Sequence, residues 1–519
     1  MKKLATVASD FRLGTLLSCS AAVLLTACGG SADPGTDQAQ TAASVESTVT
    51  ASVTASNAPN AADAGDASGA VANPNEFVVK GYEGDAQPRL LASVTSVDAA
   101  SAITGADATA LVTQLYRTLL NRDPEQAGLA HWTQALANGM TAGQLEASIR
   151  GSNEYARLHP AGGNTMSTPA TAYNYYVSPT GSDTAAGTKA APFKTLARAA
   201  KAATKAGTTV WVAPGTYAGG IKTTANGTAS ARIYWVSTTK WGAKVVPPSS
   251  STMDSAWDNR GNYVSIVGFD IDGSNGGSGK AWTHGIYTGG SYGMIADNHI
   301  HHLATKVACT SAGGSAIGVD SYYHGVMTDV VSNVVNDIGP AGCTYVQGIY
   351  FSTSGSIKNN LVYRVGAVAI HLWHDANNVI ITNNTAAASN FGMVIGGGDF
   401  YYTTAGANNV FVANNIVYDN KYGISEQGTT GKANQYKNNL VVKNTSYNFS
   451  LRNGLTHTGT VSSDPLFAGY SRTAATPNFH LSSSSPAIGR GIVTNAYPTD
   501  LDGKARNAST GYDIGAYQH

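Results

Sequence analysis

His284-Gly285-Ile286, Ser315-Ala316-Ile317, Gln347-Gly348-Ile349, Val368-Ala369-Ile370, Phe391-Gly392-Met393, Tyr422-Gly423-Ile424 and Tyr447-Asn448-Phe449 can be laid over one another so that their third residues form one aliphatic or aromatic column. The steps between them are uneven, at 31, 32, 21, 23, 31 and 25 residues, so a constant strand alternates with loops of variable length. Self-similarity of this kind marks a solenoid, in which each repeat buries its apolar edge against the next.

A second register ends in asparagine at Asn298, Asn333, Asn360, Asn384, Asn415 and Asn439, usually followed by an alternating apolar strand such as Asn415-Ile416-Val417-Tyr418. Identical side chains repeated once per coil stack about 4.7–4.9 Å apart and pass hydrogen bonds along the axis. The fold expected is therefore all-β, a right-handed single-stranded parallel β-helix. A propeller would need longer blades of regular length, and a sandwich needs no asparagine ladder.

The chain has 519 residues, enough for two to four domains. Only 12% of them are charged, Lys+Arg and Asp+Glu balance at 32 each, and 58 are glycine. A nucleic-acid binder would carry a basic stripe, and none is present. At the N-terminus Lys2 and Lys3 precede an apolar run from Leu13 to Leu25 that ends in Leu25-Thr26-Ala27-Cys28. This closely resembles a bacterial lipobox, which implies a signal peptide over 1–27 and lipidation of Cys28, with Gly29 favouring the outer membrane or cell surface. Residues 28–75 are poor in large apolar side chains and read as a disordered tether.

Helical spacing takes over within 100–160, with Leu111, Leu115, Leu119 and Leu120 on one stripe and Trp132, Leu136 and Leu145 on others. Leu115-Tyr116-Arg117, Asn121-Arg122-Asp123-Pro124, Gly128-Leu129 and Trp132 resemble a small all-helical domain of uncharacterised role found in bacterial extracellular and surface-layer proteins. That family brings no activity with it, so the module is expected to pack rather than catalyse.

Further on, Tyr176-Val177-Ser178-Pro179, Gly181-Ser182-Asp183, Pro192-Phe193-Lys194-Thr195-Leu196 and Val212-Ala213-Pro214-Gly215-Thr216-Tyr217 resemble the opening of pectate-lyase-like β-helix proteins. The resemblance implies an amphipathic helix over about 191–206 closing the first coil, since an open end would expose core and an unpaired strand edge. Asp464-Pro465-Leu466-Phe467, Ser485-Pro486-Ala487-Ile488 and Asp513-Ile514-Gly515-Ala516-Tyr517-Gln518 resemble the C-terminal closure of such proteins, giving a β-helix domain over 173–519. Once Cys19 leaves with the signal and Cys28 is lipidated, Cys309 and Cys343 remain, in equivalent loops of neighbouring coils. Such loops stack, so a disulfide is expected in an oxidising compartment.

Function must lie on what points outward. Period-two alternation with Ile286 and its equivalents inward sends out Tyr287, Gly318, Tyr350, His371, Val394, Ser425 and Ser450. Two positions on, the column reads Gly289, Asp320, Ser352, Trp373, Gly396, Gln427 and Arg452. Polar and aromatic residues concentrate on the middle coils, which suits a sugar-binding groove: rings stack on pyranose faces and polar groups bond the hydroxyls.

Ile370-His371-Leu372-Trp373-His374-Asp375 is the densest chemistry. Asp375 next to His374 could hold its tautomer and raise its pKa, while a turn in such a coil can hold histidines with no catalysis at all. The family resemblance implies a polysaccharide lyase, which removes the C5 proton of a uronate and expels the group at C4. Here His371 or His374 would be the base and Tyr350 the acid, with Arg452 or a Ca²⁺ ion neutralising the carboxylate. Pectate-lyase-like enzymes often use a Lys or Arg base beside acidic Ca²⁺ ligands, and these columns hold no basic residue near His371. Tyr287, Asp320, Trp373, Asp399, Glu426, Gln427 and Arg452 are the substrate-binding candidates.

Other readings stay open. Asp320, Asp375, Asp399 and Glu426 could pair as hydrolase carboxylates at roughly 5–10 Å. A C5-epimerase shares the proton abstraction, and a tethered adhesin or exopolysaccharide-binding protein would need no chemistry. Asp270-Ile271-Asp272-Gly273-Ser274-Asn275 could take Ca²⁺ through Asp270 and Asp272, or be no more than a turn. The partner expected is an acidic polysaccharide, with no nucleic acid, the membrane engaged only through the lipid, and a monomeric chain.

Overall fold

The computed structural model describes residues 105–116, 124–150, 171–249, 253–274, 281–310 and 313–519. The signal peptide, Cys28, the tether, Leu119 and Leu120 lie outside the described residues. Among those described, no helix is long and apolar enough to cross a membrane.

Three short helices, α1 (Gly105–Leu115), α2 (Gln126–Ala137) and α3 (Ala142–Arg150), form the helical module. Leu111, Leu115, Leu136 and Leu145 are buried together, and Trp132 packs beside them with its Nε1 donating to the Tyr116 hydroxyl at 3.0 Å.

From residue 171 the chain winds through three parallel sheets. Sheet I has eleven strands, from Tyr173–Val177 to His457–Thr458; sheet II has nine, from Ile221–Thr223 to Tyr447–Ser450; sheet III has nine, from Gly215–Ala218 to Leu440–Val442. Each coil visits sheet I, then III, then II, and each strand pairs with its equivalent one coil on, which is the expected β-helix. The apolar column is the register of sheet II itself, Ile286 opposite Ile317, then Ile349, Ile370, Met393, Ile424 and Phe449. Two earlier coils continue it through Trp257 and Ile221.

The asparagine ladder explains why the turn between sheets I and III repeats. Asn384 donates through Nδ2 to Asn415 Oδ1 and to the Ile357 carbonyl, at 2.9 and 2.8 Å, while its own Oδ1 accepts from the backbone and side chain of Asn360 at 2.9 Å each. Bonds of this kind link Asn298 through Asn439, all fully buried. The residue before each rung has positive φ, as at Asn359 (59°), Asn383 (58°), Asn414 (57°) and Asn438 (49°), a region that asparagine tolerates better than most residues. Hence the sequence reads Asn-Asn at four successive turns.

The N-terminal cap is α4 (Leu196–Ala202), shorter than the 191–206 expected. The Asp183 carboxylate accepts from the Lys194 and Thr195 amides, both at 2.9 Å, and holds the preceding chain in a loop. Thr195 then caps the helix by accepting from the Arg198 amide at 3.1 Å.

From Asp464 onward the chain runs back along the outside of the solenoid. Phe479, Leu501 and Ala516 bury against Val334, Leu361 and Tyr363 of sheet III, and Tyr497 against Tyr234, Val236 and Val267 of sheet I. The positive-φ asparagines bond it there: Asn414 exchanges two hydrogen bonds with the Ile492 backbone (2.7 and 2.9 Å), and Asn359 accepts from Arg506 Nη2 at 2.8 Å. These contacts fall on sheets I and III and leave the outer face of sheet II to its own loops. Cys309 and Cys343 are disulfide-bonded, their Cα atoms 5.5 Å apart, and join two consecutive loops between sheets III and II.

Candidate active site

The outer face of sheet II carries one column in the order Lys222, Asp258, Tyr287, Gly318, Tyr350, His371, Val394, Ser425, Ser450. Gly318 has no side chain to obstruct the ring of Tyr287, whose Cδ2 lies 3.1 Å from where a Cβ would stand. Tyr287 therefore reaches Asp320 on the next coil, donating its hydroxyl in a short hydrogen bond. Burial first, and the Asp320 charge second, hold that hydroxyl protonated. Asp320 also accepts from the Tyr322 amide (3.0 Å) and the Ser352 hydroxyl (3.2 Å), which starts the 3-10 turn Ser321–Tyr323.

His371 is only 3% exposed, with the ring of Tyr350 at 5.1 Å and that of Trp373 at 5.6 Å. Burial, reinforced by His374, pushes its pKa down to about 3, so it is neutral rather than charged in this face. Tyr350 stands half-buried between His371 and His374, 5.8 Å from the latter ring.

His374 adopts positive φ (49°), which turns its ring toward the loop after the next strand of sheet II. Its Nδ1 lies 2.8 Å from the Asp399 carbonyl and so carries the proton, leaving the Nε2 lone pair to face the Tyr401 hydroxyl at 3.1 Å. The two rings stack at 4.3 Å. Burial, with Asp320, Asp375 and Asp399 adding to it, raises the Tyr401 pKa far above the ordinary phenol range, so Tyr401 is the donor.

The expected pairing of Asp375 with His374 is corrected. Asp375 accepts from the Ser321 hydroxyl at 3.0 Å and from the Tyr402 and Thr403 amides at 3.2 and 3.1 Å, which fastens one loop to the other. The Asp399 carbonyl does the orienting instead. Trp373, expected as a sugar platform, is also corrected: it is 2% exposed. A Cβ on Gly396, Gly398 or Gly428 would come within 2.7–2.8 Å of its ring, so those glycines form its socket, and its Nε1 donates to Asp399 Oδ2 at 3.2 Å.

Glu426 pairs with Ile395 and faces the interior, where it accepts from Asn434 Nδ2, the Tyr436 hydroxyl and the Arg452 amide, each at 2.8 Å. It is neither a groove residue nor half of a hydrolase pair. Gln427 donates to Ser425 Oγ at 3.0 Å and Arg452 Nη1 to the Gly428 carbonyl at 2.7 Å, so both stay with the last coils, away from His371. Asp270 and Asp272 face outward from sheet III, a different side of the coil.

Several residues went unnoticed in the sequence. Arg260 pairs with Asp258 at 2.7 Å and lies 3.7 Å over the ring of Tyr323 and 4.7 Å from that of Tyr287, with its buried Nη1 lacking a hydrogen-bond partner among the described residues. Tyr322 meets Tyr401 edge-on at 5.3 Å, and Tyr402, 54% exposed, lies 4.0 Å from the ring of His324. The available signal was the pairs Tyr322-Tyr323 and Tyr401-Tyr402, each in a loop that follows a strand of sheet II. The arrangement brings together a neutral imidazole, protonated phenols and a guanidinium, groups able to exchange protons and to bind an anion.

Family models match only short stretches: a domain of unknown function (DUF4214) over residues 93–159 and a protein of unknown function (DUF1565) over 179–224. No curated protein matches the sequence. Among solved structures, the chain is similar to pectate lyase Pel9A at 16% identity, covering 67% of this chain and 97% of that one with a TM-score of 0.45. It is similar to a rhamnogalacturonan lyase at 16% identity, covering 60% and 95% with a TM-score of 0.37. A mannuronan C-5 epimerase A-module from Azotobacter vinelandii matches at 14% identity, covering 51% and 66% with a TM-score of 0.36.

Proposed function

We propose that the outer face of sheet II, with the loops that cover it, cleaves a uronate-containing exopolysaccharide by β-elimination, on a lipid-anchored protein at the outer membrane or cell surface. The observation that carries this reading is His374, whose Nδ1 is tied to the Asp399 carbonyl so that Nε2 keeps its lone pair, covered by the Tyr401 hydroxyl, with half-buried Tyr350 next to the ring. In the reaction the Tyr401 hydroxyl first turns from His374 Nε2 to the substrate; Nε2 then takes the C5 proton, the electron pair forms the C4–C5 double bond, the C4–O bond breaks, and Tyr350 protonates the departing oxygen. Once released from Nε2, the Tyr401 hydroxyl donates to the carboxylate and steadies the charge that develops there. Arg260 lies at the level of Tyr287, two coils or about 10 Å from Tyr350, and would bind the carboxylate of a neighbouring sugar. The exposed Tyr402 ring supports binding of a glycan chain along the same rim.

The mature chain, incubated with a panel of uronate polymers, should raise the ultraviolet absorbance of unsaturated uronate and new reducing ends in parallel. His374→Ala and Tyr350→Phe should each lower kcat by about 10²–10⁴. Reducing ends without absorbance would mean hydrolysis, and isomerised uronates without cleavage would mean epimerisation. A second reading, a non-catalytic glycan-binding surface, is favoured by the aromatic rim alone; binding with no product from any polymer would select it.

A further inference from the structure

The early coils of sheet III carry a separate polar cluster. Asp270 and Asp272 flank the buried Ile271 on one strand, and His299 and His301 flank the buried Ile300 on the next, with Asp270 opposite His299 and Asp272 opposite His301. Alternation sends all four outward, and parallel pairing sets the two strands about 4.8 Å apart. His299 Nδ1 and His301 Nε2 lie 3.1 and 2.9 Å from the same Asp270 oxygen, and the three ligating atoms fall within 4.8 Å of one another. Tetrahedral ligands at about 2.0–2.1 Å from a metal stand roughly 3.3–3.4 Å apart, so small side-chain rotations suffice to seat an ion between them.

The remaining ring nitrogens carry the argument further. His299 Nε2 lies 2.9 Å from Asn336 Oδ1, whose orientation is fixed because Asn336 Nδ2 donates to Asp337 at 2.7 Å. His301 Nδ1 lies 2.6 Å from Nδ1 of His302. Both imidazoles thus have an acceptor for the N–H that a metal-bound histidine must donate on its far side. Lys244 reaches over the carboxylates, its Nζ 2.8 Å from Asp272 and 3.8 Å from Asp270, on a side chain 38% exposed that can turn to solvent.

We propose that Asp270, His299 and His301 form a binding site for a borderline transition-metal dication, Zn²⁺ foremost, with the fourth position open where Lys244 now reaches. Two carboxylates alone suggested Ca²⁺, but imidazole nitrogens suit Zn²⁺, whereas Ca²⁺ takes an all-oxygen shell. The site binds two successive coils together from outside and does not depend on the chemistry of sheet II.

The test uses the full mature chain without a histidine tag, stripped with a chelator and titrated calorimetrically with Zn²⁺ alone or Ca²⁺ alone. One Zn²⁺ per chain should bind, and Ca²⁺ should not displace it. His299→Gln combined with His301→Gln should weaken Zn²⁺ binding at least a hundred-fold, with metal-free far-ultraviolet circular dichroism unchanged. Asn336→Ala, which keeps all three ligands, should weaken it about ten-fold, and Lys244→Met should tighten it by removing the competing cation. Failure of the wild-type chain to bind Zn²⁺, or undiminished binding by the double variant, overturns the proposal. Should the double variant misfold, unchanged affinity in both Asn336→Ala and Lys244→Met overturns it equally.

Discussion

His371 near the end of its strand and Trp373 just beyond it are both directed outward, yet both are buried beneath the loops of neighbouring coils. A histidine held neutral by burial makes stability depend on pH with a definite sign. Its folded pKa of about 3 lies below the ordinary 6.5, so its contribution is fully present above pH 6.5 and is lost as pH falls toward 3. The shift corresponds to on the order of 5 kcal/mol at its fullest. Urea unfolding of His371→Leu should therefore lose stability less steeply between pH 6.5 and 4 than the wild type does; parallel curves would refute the assignment. In the same strands, Gly396→Val should cost about 1–3 kcal/mol in a urea titration by forcing the Trp373 ring from its socket. Alternation in the sequence already placed Glu426 inside, since Ile424 and Glu426 share a face. Its charge invited a functional reading, and the interior partners Asn434 and Tyr436 are what permit a carboxylate there.

At the scale of strands and turns, what repeats was legible and what does not repeat was hidden. The column from Ile286 to Phe449 and the asparagine rungs follow from one physical requirement, that equivalent positions stack. The coil of Trp257 escaped notice because tryptophan takes the place of isoleucine there, and the Ile221 coil beyond it was cut off from the column with it. The loops bearing Tyr322, Tyr323, Tyr401 and Tyr402 obey no period, and their meeting across the coils depends on the Asp375 bonds to both. The reach of Arg260 over Tyr323 was equally invisible, since it spans two coils. The ladder allows a direct test. Asn384→Ala leaves the Asn360 amide and the Ile357 carbonyl buried without partners and should lower stability by roughly 2–4 kcal/mol, read from a urea titration. A change below about 0.5 kcal/mol would mean that the rungs merely occupy space.

For the molecule as a whole, the proposed lipid anchor and the stretch that follows Asp464 each carry a prediction. If Cys28 carries the lipid, metabolic labelling with palmitate should mark the wild-type protein and leave Cys28→Ser unlabelled and released from the membrane fraction; equal labelling would discard the anchor. The other end has a different effect. A solenoid in which each coil touches only its neighbours can fray one rung at a time, its stability a sum of local terms. Here the final stretch of chain grips the coils of Tyr234, Leu361 and Asn414 at once, through apolar contacts and the turn asparagines. Distant rungs thereby share one fate, and the β-helix should melt in a single all-or-none step. If the chain is exported N-terminus first, the coils emerge before their fastener, and the passenger stays pliable until this last stretch has crossed.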